Sequence, residues 1–144
     1  MMEGHVPSGH DASVTAHVLR TYHSVAVVGL SPDPTRPSHA VARYLQEQGY
    51  DVVPVNPNCR EVLGRRCYPD LRSVPGGVEI VDVFRRSESV GPIADDAIAI
   101  GAKVLWLQDG VVNEEAAERA RRAGLIVIMD DCMAREHRRL IASR

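Results

Sequence analysis

The chain has 144 residues, 44% hydrophobic and 25% charged, with a formal net charge of −2 at pH 7. That length suits one domain with a real core, and the apolar content excludes a disordered chain. The near-neutral charge argues against a general nucleic-acid or membrane surface. Met1 to His10 is polar, carries Gly4, Pro7 and Gly9, and reads as a disordered start, leaving 11–144 as a single domain. Asp11 to Tyr22 has helical spacing: Asp11 or Ser13 can cap it, and Val14, Val18 and Leu19 share a face. Val25 to Val28 is a short β-branched run, a buried strand that Gly29 ends. A loop with three prolines follows, and a helix opens at Ser38 with Val41, Tyr44, Leu45 and Gln48 on one face. Asp51 to Val55 is the second strand, and Asn56-Pro57-Asn58 is a turn. Residues 59–77 read as loop apart from one short edge strand around Arg66 to Tyr68. Val78 to Phe84 is the next central strand, and Ser87 or Ser89 caps a helix that runs to about Ile100 and stops at Gly101. After a strand over Lys103 to Leu107, Asn113 caps a helix with Glu114 and Glu115 first and Arg119, Arg121 and Arg122 last, an order that suits the helix dipole. Gly124 stops it, Leu125 to Met129 is the last strand, and Asp130 or Asp131 caps a final helix with Met133, Leu140 and Ile141 inward.

Almost continuously apolar strands alternating with helices are the pattern of a parallel sheet covered on both faces. The expected fold is therefore α/β, a three-layer, Rossmann-like, doubly wound parallel sheet of about five strands. In such sheets the ligand sits beyond the carboxyl ends of the strands. Those ends deliver Gly29, Leu30 and Ser31; Asn56 and Pro57; Phe84, Arg85 and Arg86; Gln108, Asp109 and Gly110; and Asp130, Asp131 and Cys132. The loop before the first crossover helix lies where unpaired N–H groups and a positive dipole end meet solvent. Such a place binds phosphate, at about 0.3–1 kcal/mol per dipole–anion contact. Arginine outnumbers lysine sixteen to one, and its planar fork grips phosphate well.

A dinucleotide needs G-x-G-x-x-G and an acidic residue closing the second strand. The chain has one glycine in a longer loop, G-L-S-P-D-P-T-R-P-S, and Asn56-Pro57 where the acid belongs. The alternative is a ligand with a pyrophosphate, an adenine and a long neutral arm. VAVVGLSPDPTRPSHAVARYL, GYDVVPVNPN, VDVFRRSESVGPI, LWLQDGVVNEEAAERARRAGL and MDDCMAREHRRL are similar in order and spacing to small stand-alone CoA-binding proteins. Those resemble the N-terminal CoA-binding domain of the succinyl-CoA synthetase alpha subunit. The likeness runs from about residue 17 to the C-terminus; Asp131 departs from it, where many relatives are expected to carry arginine.

By position, the resemblance implies that Gly29, Leu30, Ser31, Arg36, Pro37 and Ser38 surround the CoA pyrophosphate. Asn56 and Pro57 border the adenosine, Val83, Phe84 and Arg85 flank the nucleotide and the start of the pantetheine arm, and Gln108 meets the arm. Trp106 reads as core. The synthetase's phosphorylated histidine belongs to a second domain, so its ligase chemistry is not carried over.

Cys59, Cys67 and Cys132 lack metal-type spacing and read as reduced thiols of a cytoplasmic protein. His5, His10, His17 and His23 are spaced too irregularly for a metal site. Asp95-Asp96 and Glu114-Glu115 read as solvated faces. Cys132 starts a helix near the crevice, but His137, five residues on, is not stacked above it. The expected function is binding of CoA or an acyl-CoA without catalysis, as a homo-oligomer or beside a partner enzyme, with no nucleic acid, membrane or metal. Alternatives are a thiol-dependent enzyme acting on acyl-CoA or CoA disulfides through Cys132, and an NAD(P)-binding redox protein.

Overall fold

Five short β-branched runs become the strands of one parallel sheet because each is apolar on both faces and needs cover on both. The computed structural model describes residues 12–142; the stretch 1–10 and the Asp11 cap lie outside the described residues. The strands are β1 (Ser24–Val28), β2 (Asp51–Val55), β5 (Ile80–Val83), β6 (Val104–Leu107) and β7 (Ile126–Ile128), in the order β2-β1-β5-β6-β7. All pairs are parallel, and Val27, Asp82 and Trp106 lie in one row across the sheet. The helices are α1 (Ala12–Thr21), α2 (Pro37–Glu47), α3 (Val90–Ala99), α4 (Glu114–Arg122) and α5 (Met133–His137), the last running into a π-helical turn at Arg138–Ala142.

Period-2 alternation sorts the strand residues between two layers. Ala26, Val28, Val81, Val83, Leu105 and Leu107 face α3 and α4, with Ala94, Ala97, Ala116 and Ala120 beneath them. Val25, Val27, Ile80, Val104, Trp106 and Ile128 face the other way, with Leu19 of α1, Leu45 of α2 and Met133 of α5. The doubly wound three-layer sheet expected from the sequence is the observed fold. β2 is an edge strand, which is why it tolerates Pro54: a central strand would lose a ladder hydrogen bond there.

Local chemistry departs from expectation at four places. Residues 61–66 form a hairpin, β3 (Glu61–Val62) and β4 (Arg65–Arg66), rather than loop, closed by a two-residue turn in which Leu63 (φ 54) and Gly64 (φ 75) are both left-handed. Tyr68 makes only an isolated bridge to Val55. Ser38 does not open α2: Arg36 holds the N-cap position, Pro37 is first in the helix, and the Ser38 hydroxyl accepts the Ser31 amide at 3.0 Å. Ser87 and Ser89 give α3 no side-chain cap, and the Ser87 hydroxyl instead accepts the Val112 amide at 2.9 Å. Cys132, not an aspartate, is the N-cap of α5, while the Asp131 carboxylate accepts the Cys132 amide at 2.8 Å.

Asn113 caps α4 as expected: its Oδ1 accepts the Ala116 amide at 3.0 Å, and its Nδ2 donates to the Ser87 carbonyl at 2.9 Å. Asn113→Ala is expected to cost about 1–2 kcal/mol, read as a lower urea midpoint at unchanged slope. No loss in the melt would show that the cap carries no stability.

Candidate functional site

The strand order reverses at β1, which pairs with β2 on one side and β5 on the other. The carboxyl ends of β1 and β5 meet closely there. The Phe84 amide donates to the Val28 carbonyl at 2.8 Å, and the Gly29 amide to the Val55 carbonyl at 2.8 Å. Gly29 has φ +91, and a Cβ on it would stand 2.6 Å from the Phe84 carbonyl oxygen. Only glycine fits where the first strand must turn away under that carbonyl.

The loop from Leu30 to Arg36 is folded on its own side chains. The Ser31 hydroxyl accepts the Asp33 amide at 3.0 Å, and Asp33 Oδ1 accepts the Thr35 amide at 2.9 Å and hydroxyl at 2.8 Å. The bonds from Thr35 hold the Asp33 carboxyl below its ordinary value, with Arg36 and His39 adding to them. The Arg36 amide donates to the Asp33 carbonyl at 3.0 Å, and His39 Nδ1 lies 3.0 Å from the Ser31 carbonyl. These bonds preform the loop. The first turn of α2 has no side-chain cap, Arg36 is exposed, and among the described residues no carboxylate pairs with its guanidinium. The Ser38 hydroxyl, with a lone pair given to Ser31, retains a proton to donate.

Two clefts adjoin this loop. A broad groove of about 1180 Å³ opens beside the end of β2, lined by Pro32, Asn56, Pro57, Arg60, Arg66 and Cys67 among others. A smaller cleft of about 480 Å³ lies on the other side, lined by Pro37, Phe84, Arg85, Gln108 and Cys132 among others. Asn56 stitches the groove to the loop: Nδ2 donates to the Leu30 carbonyl at 2.9 Å and Oδ1 accepts the Asn58 amide at 2.9 Å.

The expected site residues fall into three groups. Asn56 and Pro57 line the groove, and Pro37, Phe84, Arg85 and Gln108 line the cleft. Gly29, Ser31, Arg36 and Ser38 line neither hollow; they belong to the loop whose Pro32 lines the groove and whose Pro37 lines the cleft. Leu30 and Val83 are fully buried and line neither hollow; the Val83 carbonyl accepts the Gln108 amide at 3.3 Å. Gln108 Oε1 accepts the Met133 amide at 3.2 Å, which fastens the start of α5 to β6. Trp106 is buried core, as expected.

Sequence reasoning missed the groove wall made by Arg60, Arg66 and Cys67, because it read 59–77 as loop apart from one edge strand around Arg66 to Tyr68 and paired no hairpin there. The signal lay in Leu63-Gly64, a two-residue turn between short polar strands. It also missed Arg135, the partner of Asp109 in the cleft lining. Arg135 holds both Asp109 oxygens, at 2.8 and 2.9 Å, and Asp131 at 2.8 Å. Those bonds keep the Asp109 carboxyl below its ordinary value against the opposing effect of burial.

The arrangement gives Cys132 no imidazole partner on its own helix. His137 Nδ1 lies 2.8 Å from the Tyr44 hydroxyl, and the ring packs edge-on against Tyr44 and Tyr50. Burial, with Arg138 nearby, holds the imidazole below its ordinary value. Among the described residues no group of three or more His, Cys, Asp or Glu is placed for a metal ion, and no helix is long and apolar enough to cross a membrane.

A doubly wound parallel sheet with clefts at its switch point defines a Rossmann-like domain. The chain belongs to the CoA binding domain family, whose model matches residues 23–138. It is 42% identical over 120 residues to the uncharacterized protein YneT of Bacillus subtilis, covering 83% of this chain and 89% of that one. It is 25% identical over 119 residues to the ADP-forming acetate–CoA ligase I of Archaeoglobus fulgidus, covering 76% of this chain but 17% of the ligase. The structure of a hypothetical protein from Pyrococcus horikoshii OT3 superposes with a TM-score of 0.92 at 42% identity, covering 98% of this chain and 99% of that one.

Proposed function

We propose that this chain binds coenzyme A or an acyl-CoA at the carboxyl ends of β1, β2 and β5 and performs no catalysis of its own. The pyrophosphate lies over the Gly29–Ser38 loop, the adenosine in the groove beside Asn56 and Pro57, and the pantetheine arm along Phe84, Arg85 and Gln108. The observation that carries this reading is that one loop borders both clefts: Pro32 lines the groove and Pro37 the cleft. A ligand with a central diphosphate and two unlike ends needs such a ridge between two hollows. A first helical turn without a side-chain cap and an exposed Arg36 suit the diphosphate. The family and the matching segment of an acetate–CoA ligase support the choice of CoA. As a cytoplasmic carrier, sensor or partner subunit, the protein would present the acyl end of its ligand near Cys132.

Calorimetric titration with CoA, NAD and ATP tests the reading. CoA is expected to bind most tightly; no CoA binding up to millimolar concentration, with good NAD binding, would overturn it. Arg36→Ala is expected to leave the melting curve unchanged, because the side chain is exposed, and to weaken CoA by roughly ten- to a hundredfold, the loss of one charge-assisted contact. Unchanged affinity would move the diphosphate off this loop.

A thiol-dependent reaction is the second reading, favoured by the half-buried position of Cys132 in the cleft. Cys132→Ser separates the two: turnover of an acyl-CoA or CoA disulfide lost with CoA binding retained supports an enzyme.

A further inference from the structure

The groove wall contains two thiols that the CoA reading does not use. Cys59 sits at the turn into β3 and Cys67 directly after β4, and both line the same groove. The Cys67 amide donates to the Arg60 carbonyl at 2.8 Å, which extends the hairpin register by one pair beyond Glu61 and Arg66. Cys59 therefore lies one residue from the position opposite Cys67, and both side chains pack in the same apolar cluster, Cys67 within it and Cys59 against it. Cys59 Sγ also lies 3.4 Å from the Glu61 carbonyl. Both ends of the segment are tied to β2: the Asn56 amide donates to the Tyr68 carbonyl at 2.9 Å, and the Tyr68 amide to the Pro54 carbonyl at 3.0 Å. The third cysteine, Cys132, lines the separate cleft on the other side of the loop.

We infer that Cys59 and Cys67 are a dithiol site that closes to a reversible intrachain disulfide by exchange with a low-molecular-weight disulfide. Cys59 is partly exposed and Cys67 is buried, so the roles divide. Burial, with Cys59 beside it, pushes the Cys67 thiol up to about 12. Cys59 loses its proton and attacks one sulfur of the small disulfide RSSR, forming a mixed disulfide and releasing RS⁻, which takes up a proton. Cys67 then attacks the Cys59 sulfur of that mixed disulfide and releases the second RSH. One S–S bond and two S–H bonds break, and one S–S bond and two S–H bonds form. The protein dithiol gives up two electrons and RSSR accepts them. Closure links the two strands of the hairpin covalently where they wall the groove, so the pliancy of that wall follows the thiol–disulfide balance of the solution.

The test is peptide mapping of the full chain, without CoA, after equilibration in graded mixtures of reduced and oxidised glutathione and acid quenching. Trypsin cleaves after Arg60 and Arg66, so peptides carrying Cys59 and Cys67 separate unless a disulfide joins them. The expected result is a chain lighter by two hydrogens, a linked Cys59–Cys67 peptide pair, an alkylatable Cys132, and full reversal by dithiothreitol. Cys59→Ser should abolish the linked pair and leave Cys67 a thiol. Cys67→Ser should leave a persistent glutathione adduct on Cys59; if burial makes that variant unfold, the exposed-site Cys59→Ser variant still decides. Glutathione remaining on Cys59 in the wild type, Cys67 linked to Cys132, or both thiols still alkylatable in the most oxidising mixture overturns the assignment. Because CoA is absent, failure here is distinct from failure of the CoA reading.

Discussion

Gly29→Ala is expected to lower the stability of the chain by about 2–4 kcal/mol, a shift of about 5–15 °C in the melting midpoint, and to weaken CoA binding with it. The added methyl meets backbone, not a side chain that could swing aside: the Phe84 carbonyl oxygen at 2.6 Å and its carbon at 3.2 Å. The φ of +91 adds left-handed strain of about 1–2 kcal/mol. Relief requires β1 and β5 to part at the Phe84–Val28 hydrogen bond, where the ligand loop begins. The damage therefore reaches both stability and the site. Urea melts and CoA titration of the same preparation check it; an unchanged midpoint with unchanged affinity would show that the strands do not approach so closely in solution.

Asp82 is expected to give the largest change in the opposite direction. It is fully buried in the middle of β5, in one row with Val27 and Trp106, and among the described residues neither carboxyl oxygen has a hydrogen-bond partner. Desolvation pushes its carboxyl well above the ordinary value of 3.8. The folded chain keeps the proton while the unfolded chain releases it, so between those two values folding takes up a proton. This group's contribution is therefore most favourable in acid and is lost as pH rises. Asp82→Val, β-branched and apolar like its neighbours, is expected to stabilise the chain at neutral pH by on the order of 2 kcal/mol. The gain should shrink as pH falls toward about 4. Asp82→Asn cannot ionise, so its difference from wild type should show the same pH dependence whatever its absolute stability. Urea melts from about pH 5 to about pH 8 decide this. A destabilising valine sinks the burial argument, and a pH-independent asparagine difference sinks the ionisation argument.

Glu79 runs the other way. Its Oε1 accepts the His23 and Ser24 amides at 2.9 and 3.1 Å, and these bonds hold the carboxyl below its ordinary value. That stabilisation is present above the ordinary value and fades in acid, so the variant-minus-wild-type comparison, not the wild-type curve, isolates Asp82.

The central sheet was legible because its strands are β-branched runs flanked by glycine or polar turns, and the helices because their apolar residues recur on one face. A doubly wound parallel sheet followed from the alternation of elements, while the order of its strands did not. Legibility failed where interactions are local and short. Ser38 read as the opening of the helix, but Pro37 takes the first helical position behind Arg36, and the Ser38 hydroxyl accepts the Ser31 amide instead. The hairpin at 61–66 has two-residue strands, too short for any period to register. Asp82 did leave a trace, a lone acid inside Ile80–Val83, which an apolar-run criterion passes over. At the site, the residue types at the strand ends were readable, while the division into two hollows was not, since it depends on how the hairpin folds against β2.

Trp106 is the chain's single tryptophan, wholly enclosed, and its indole N–H donates to the Asp131 carbonyl at 3.0 Å, one residue before Cys132. The indole is thus an optical probe in the core, tied to the backbone that leads into α5. Its emission should be blue-shifted in the native chain and should respond when a molecule docks against the opening of α5, so occupancy can be followed at nanomolar protein without any dye.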